Sequence, residues 1–274
     1  GSGAFSTSES ASIGIEGATG GAGNFLDAVS GSAFINQSYM TTHKWPAANI
    51  RFTPGAPTAL PGGTYTVGIA GTFPNLSEAI ANVNHRGISG PVTLSLIDAT
   101  YDTTLTGGRN TFPLMMGPVA GNSSINTITI QPASGNSTLS YRGVTSGAGG
   151  NQTSSTAFGT GTEPILAIVG TDYVTVRNLN LVSTGSTASN LVDRGLLVAN
   201  ATATDGSQNG LYENITVSLL RTNTSSIGIQ QSSATTASSA AGANSTNIYR
   251  NLNISNVYAG IYLLGTAAFP DLAC

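Results

Sequence analysis

The chain has 274 residues and a net charge of −3, with nine Lys plus Arg against twelve Asp plus Glu. It is long enough to bury a sizeable core as one large domain or two smaller ones. Only 8% of its residues are charged, and the basic ones, Lys44 and eight Arg, are scattered singly. No phosphate-neutralising stripe can be drawn from them, which argues against a nucleic-acid partner.

The surface that this composition makes is one of hydroxyls and amides. Hydrophobic residues reach 39% and recur in β-branched runs, so the chain reads as ordered and β-rich, not as a disordered polar polymer. The single cysteine, Cys274, precludes an internal disulfide. A chain poor in Cys and Lys and rich in Ser, Thr and Gly suits an exported bacterial protein. No cationic start leads into an apolar run, and no apolar stretch approaches the roughly 18 residues of a membrane span. The expectation is therefore no membrane span and, for an exported protein, a signal already removed.

Residues 1–60 open on a small-residue stretch and read as an N-terminal arm, extended or docked on the body or on a neighbouring subunit. Phe25, Leu26, Val29, Phe34, Ile35, Tyr39, Met40 and Trp45 supply its apolar anchors. Pro54, Pro57 and Pro61-Gly62-Gly63 then punctuate the chain before Thr64–Val67, which alternates as a half-buried strand does. The body is expected to run over 61–274.

One convincing helix follows. Leu76, Ala79, Ile80 and Val83 fall on one face, Asn75 caps the start with Glu78 three residues on, and Gly87 ends it. Strands are predicted from Gly90-Pro91 to Ile97 and over Ile125–Ile130, with Ile128 and Ile130 on one face and Ile125 on the other. Residues 143–162 and 230–246 read as long polar loops.

From Tyr173 onward a pattern repeats. Arg177-Asn178-Leu179-Asn180-Leu181 returns as Glu213-Asn214-Ile215-Thr216-Val217 and as Arg250-Asn251-Leu252-Asn253-Ile254. Each copy is followed by a short apolar strand containing or flanked by Gly: Gly195–Val198, Ile227–Ile229 and Gly260–Leu264. Strands this short do not stabilise themselves, and the helices of a βαβ series are missing. Stacking each strand on its equivalent one turn earlier solves both problems, giving a parallel β-helix. Asn178, Asn214 and Asn251 would then stack into a structural amide ladder; separate surface turns are the alternative for them. A β-sandwich would call for hairpin dipeptides, and Asn209-Gly210 is the one Asn-Gly present.

The run from Pro61 to Asp102 resembles the amino-terminal cap of pectate-lyase-like right-handed β-helix surface proteins of the Bacteroidota type, many of them exported by the type IX route. The resemblance is carried by Gly63-Thr64-Tyr65-Thr66-Val67-Gly68, by Gly87-Ile88-Ser89-Gly90-Pro91-Val92 and by Ala99-Thr100-Tyr101. Asp172–Leu179 is similar to their first well-formed coil. The resemblance implies an all-β, right-handed parallel β-helix (a solenoid) with a short N-terminal capping helix. No capping element follows the last strand, so residue 274 is expected to be a processing point, a place past which the coils continue, or a contact with another chain. For function the fold is permissive, since it carries lyases, hydrolases, adhesins and fibres alike.

No catalytic or metal-binding motif is predicted. Asp98 and Asp102 form the closest acidic pair, and Asp172, Asp193 and Asp205 could meet only if the coils place them so. Turn capping and pairing with Arg177 or Arg194 is the stronger reading of these residues. His43 and His85 stand apart, and Gly147–Gly150 lacks the Lys of a phosphate loop. Asn-x-Ser/Thr triplets begin at Asn36, Asn75, Asn122, Asn136, Asn151, Asn200, Asn214, Asn223, Asn244 and Asn253, with Asn214 and Asn253 poor acceptors because they lie in predicted strands. The expected function is a non-catalytic extracellular scaffold at a bacterial cell surface, an adhesin or a subunit of a surface fibre or layer. Its partners would be cell-surface glycans or other surface-protein subunits, itself included. The alternative is a polysaccharide lyase or glycoside hydrolase on the same fold. No cofactor is expected; calcium would enter only with that alternative.

Overall fold

The computed structural model describes residues 57–104, 108–143, 163–186, 191–233 and 235–270, together with the backbone of three strands between residues 11 and 33. The chain divides into two compact units, residues 1–55 and 56–274. In the first, β1 (Ala11–Gly14), β2 (Phe25–Val29) and β3 (Ser32–Ala33) form an antiparallel sheet in that order. The apolar anchors expected on the arm lie outside the residues whose side chains are described, as does the expected loop from residue 144 to residue 162.

The second unit is mostly β, with parallel sheets and one α-helix among the described residues. Its strands are β4 (Gly63–Val67), β5 (Val92–Leu96), β6 (Thr100–Tyr101), β7 (Leu114–Met116), β8 (Ile128–Pro132), β9 (Ser137–Tyr141), β10 (Pro164–Val169), β11 (Val174–Ser183), β12 (Arg194–Ala199), β13 (Leu211–Ser218), β14 (Ile227–Ser232), β15 (Ile248–Arg250), β16 (Asn253–Ser255) and β17 (Ala259–Leu264). One sheet runs β7-β10-β12-β14-β17. The other runs β4-β5-β8-β11-β13-β15, with β6, β9 and β16 joined to it through β9–β11 and β13–β16. Every named strand pair of this unit is parallel, so each strand lies on one from a later or earlier pass of the chain.

Alternation explains why these segments are strands. In β8, Ile128 and Ile130 are buried and Thr129 and Gln131 half-buried; in β11, Val174 and Val176 face in. Register then aligns Leu94, Ile130, Val176, Tyr212 and Tyr249 in one inward column. Burial of side chains of this size contributes about 1.5–3 kcal/mol each, and contact with the equivalent residue above and below is what lets such short strands persist. Gly195 marks a place where two strands crowd: a Cβ there would lie 2.5 Å from both the Val217 side chain and the Gly228 carbonyl oxygen. Gly228 is crowded in the same way, its Cβ position lying against the Ile254 side chain and 2.7 Å from the Gly260 carbonyl oxygen, so β12 and β14 begin Arg194-Gly195 and Ile227-Gly228.

Helix α1 (Leu76–Arg86) buries Leu76, Ala79, Ile80 and Val83 in the same core as β4 and β7. The Asn75 side chain accepts from the Glu78 backbone N–H, and Gly87, at φ 68, closes the other end by donating to the Val83 carbonyl.

Several boundaries differ from expectation. The strand predicted over Ile125–Ile130 starts at Ile128 and runs to Pro132. The Ser123 hydroxyl accepts from the Asn126 N–H at 3.1 Å, curling the chain into a turn that leaves Ile125 79% exposed. Strands β7 and β9 lie in segments for which none was predicted. The segment 230–246 is no simple loop: β14 continues to Ser232, a 3-10 turn forms at Ala240–Gly242, and Gln231 and Asn244 are fully buried.

Candidate functional site

Asn178 lies inside β11 at the point where its pairing partner changes from β8, opposite Val174–Val176, to β9, opposite Leu179–Ser183. Its φ is 58°, and Asn214 and Asn251 both have φ 54°. This left-handed conformation is one that Asn tolerates better than other non-Gly residues. It advances the alternation by one residue, so the inward side chains fall at Val176 and Leu179, at Tyr212 and Ile215, and at Tyr249 and Leu252. The strand bends there and the core is followed around the corner.

The three amides meet across the passes. Asn214 Nδ2 donates to Asn178 Oδ1 at 2.9 Å, and Asn251 Nδ2 donates to Asn214 Oδ1 at 3.1 Å. Each therefore acts as both conformational corner and hydrogen-bond rung. One position earlier, Glu213 is 8% exposed between two guanidinium groups, with Arg250 Nη2 at 2.6 Å and Arg177 Nη1 at 3.7 Å; Arg177 Nε also donates to Gln131 Oε1 at 2.6 Å. The ion-pair partner of Arg177 is thus Glu213, where an Asp was expected.

A second corner repeats five residues before the first. Tyr173, Asn209 and Thr246 have φ 50°, 57° and 58°. Thr246 Oγ1 donates to Asn209 Oδ1 at 2.8 Å, but Tyr173 has no amide to extend the row. Nothing in the residue types announces this column, and sequence reasoning missed it.

Behind the second corner the interior is polar. Gln231, in register with Val198, is fully buried; its Oε1 accepts from Tyr249 Oη at 2.7 Å and Asn247 Nδ2 at 3.0 Å, while its Nε2 donates to the Asn244 carbonyl at 2.7 Å. Asn247 Oδ1 accepts from the Gly210 N–H, and Asn244 Oδ1 from the Ser207 N–H. Tyr212 stacks on Tyr249 with ring centres 5.0 Å apart, and burial pushes its hydroxyl pKa up; among the described residues that hydroxyl has no hydrogen-bond partner. Low-complexity sequence hides this network, because its Asn, Gln and Ser members look like loop residues.

The acidic residues are dispersed. Asp98 Oδ2 accepts from the Ile69 N–H, and Asp102 Oδ1 from the N–H and hydroxyl of Thr104. Asp172 accepts from the Gln208 N–H at 2.8 Å; burial raises its pKa, helped by the nearby charge of Asp205, which burial raises too. Asp193 lies apart from that pair, accepts from Asn223 Nδ2 at 2.9 Å, and is likewise raised by burial. Arg194 is held by Gln230, the Ser225 carbonyl and the Asp193 carbonyl, and burial lowers its pKa. Tyr101, which donates to the Val67 carbonyl at 2.5 Å, is pushed up to about 12 by burial. Among the described residues no group of three or more His, Cys, Asp or Glu side chains could hold a metal ion, and no helix is long and apolar enough to cross a membrane.

Two surfaces remain. An open groove beside α1 is lined by Ser77, Ile80, Asn84, Thr111, Leu114 and Met115; Asn84 is engaged there by the Met115 carbonyl and the Gly117 N–H. The outer side of β15–β17 exposes Ile248, Tyr258, Ile261, Tyr262, Leu263 and Leu264. The chain matches none of the protein-family models, curated proteins or solved structures with which it was compared.

Proposed function

We propose that the second unit is a right-handed parallel β-helix of the pectate-lyase-like kind, and that it serves as a non-catalytic extracellular scaffold, an adhesin or a subunit of a surface fibre or layer. One observation carries this reading: the polar side chains most suited to chemistry are engaged in holding one pass of the chain to the next. Glu213 is shared between Arg177 and Arg250, Asp172 accepts from Gln208, Asp193 from Asn223, and Asn178, Asn214 and Asn251 bond to one another. A body braced in this way presents Ser, Thr, Asn and Tyr at fixed spacing. Recognition would then be multivalent, many weak polar contacts to cell-surface glycans or neighbouring subunits summing to useful avidity.

The test is retention against turnover. The purified chain, immobilised at increasing density, should hold glycan-coated beads or cells ever more strongly, while plant and bacterial polysaccharides incubated with it gain no reducing ends or unsaturated uronic acids. Turnover abolished by Asp172→Asn or Asp193→Asn would replace the scaffold with a glycan-cleaving enzyme. We propose further that the N-terminal arm docks on a neighbouring subunit; deleting residues 1–55 and measuring mass by light scattering tests this, and an unchanged oligomeric size would sink it.

A further inference from the structure

The ten Asn-x-Ser/Thr triplets are the one motif of the sequence that a scaffold role does not absorb, and the fold separates them sharply. Asn36 and Asn151 lie outside the described residues. Asn200, Asn223 and Asn244 are buried. Asn200 Nδ2 donates to the carbonyls of Thr202 and Thr235, and Asn223 Nδ2 to the carbonyl of Val192 and to Asp193 Oδ1. Asn75 caps α1, Asn122 Nδ2 donates to the Asn126 carbonyl, and Asn214 is a rung of the amide row. Asn253 is exposed but lies within β16, paired to β13. Asn136 differs from all of these. It is exposed, it occupies the turn between β8 and β9 directly after Gly135 at φ 61°, and its amide makes no hydrogen bond to a described residue.

We propose that Asn136, in Asn136-Ser137-Thr138, is the acceptor of an N-linked oligosaccharide, an inference that rests on the extracellular reading above. The donor class is an oligosaccharide carried on a polyprenyl diphosphate. Asn136 Nδ2 forms the new bond to C1 of the first sugar, the C1–O bond to the diphosphate breaks with its electron pair on the leaving oxygen, and the amide proton passes to a base of the transferase. In the folded chain Ser137 is 2% exposed with its hydroxyl on the Asp98 carbonyl, and Thr138 Oγ1 accepts from Asn180 Nδ2 at 3.3 Å. The hydroxyl that the transferase must read is therefore occupied once β9 lies on β11, and transfer precedes that docking. The finished glycan projects from the turn and leaves the strand pairing untouched, whereas a chain modified on Asn200, Asn223 or Asn244 before folding could not bury that residue and would not reach the folded, secreted state.

Translation of the full chain behind an added signal sequence, in the presence of microsomes and then in a secreting eukaryotic host, supplies export independently, so the result does not depend on whether the native protein is extracellular. Glycopeptide mass spectrometry should place a glycan on Asn136 in most of the secreted protein and none on Asn200, Asn223 or Asn244. Asn136→Gln and Thr138→Ala should each abolish it, and Asn136→Gln should leave the unfolding midpoint where it is. An unmodified Asn136 in both systems, or secreted folded protein glycosylated at a buried Asn, would overturn the proposal.

Discussion

The two left-handed corners of each pass are alike in backbone and unlike in sequence. Tyr173, Asn209 and Thr246 adopt φ values of 50–58°, and Asn178, Asn214 and Asn251 values of 54–58°, five residues further on. The second set is chemically uniform because its side chains bond to one another; the first is mixed because only Asn209 and Thr246 do. A repeating residue thus reports a row of side chains in mutual contact. A repeating conformation without such a row leaves no trace in the residue types.

Substitutions at the two corners can break this comparison. The largest effect is expected from Asn214→Ala, which loses two amide hydrogen bonds at about 0.5–1.5 kcal/mol each and replaces a residue that tolerates the left-handed conformation by one that adopts it at a cost of about 1 kcal/mol more. Thermal and denaturant unfolding should report a loss of about 2–4 kcal/mol, about 1 kcal/mol of it restored in Asn214→Gly. If Gly and Ala prove equally damaging, the conformational part of the argument fails.

Glu213→Gln comes next. It removes the charge that two guanidiniums share at a position only 8% exposed, and should cost about 1–2 kcal/mol in the same assay. Glu213 itself is buried, so added salt should narrow the difference from the parent only a little: the interaction worth having is the short bond to Arg250, not long-range attraction. Full recovery in salt would argue that the column is merely a surface decoration.

At the mixed corner, Thr246→Gly gives up the hydroxyl's bonds with Asn209, to its Oδ1 and from its N–H, for relief of about 1 kcal/mol of left-handed strain; the Asn209 N–H keeps the Ser245 carbonyl, so the variant should lie within about 1 kcal/mol of the parent. A loss as large as that of Asn214→Ala would show that both corners depend on side-chain rows after all.

The subtlest effect is on pH. Asp172, one residue before Tyr173, has its folded pKa raised, chiefly by burial. In the window between the unfolded and the folded pKa the folded state holds more protons than the unfolded, so stability falls as pH rises. Its contribution is fully present below about pH 4, the unfolded value, and lost as pH climbs through the raised one. Asp172→Asn keeps an acceptor for the Gln208 N–H without the buried charge. Unfolding midpoints should show it more stable than the parent at neutral pH and equal at the acid end; a constant difference across the range would refute the assignment.

Legibility in the sequence followed the range of the interactions. Helix α1 could be read because its signals are local: one apolar face at helical spacing, Asn75 before it and Gly87 after it. The Asn row could be read because it is periodic. The start of β8 was misplaced because Ile125-Asn126-Thr127 alternates as well as a strand does, and only Ser123 folding back to Asn126 ends the alternation. The acidic residues could not be assigned at all. Asp172 and Asp205 come near each other, and Asp193 stays away, only through the register of passes separated by some thirty residues.

By itself the sequence determined a mostly β chain with one short helix, the inward rows of Val, Ile and Leu, and the three Asn rungs. Each of these is set by backbone preference or by contact with an identical neighbour. Tertiary structure alone decided which amides are buried and which are free: Asn200 and Asn244 in the interior, Asn214 in a row, Asn136 open to solvent. It also decided that Gln231 belongs to the core, where Tyr249, Asn247 and the Asn244 carbonyl satisfy it. An amide is indifferent to its surroundings until the next pass of the chain supplies or withholds its partners, and that information is carried by register, not by any residue alone.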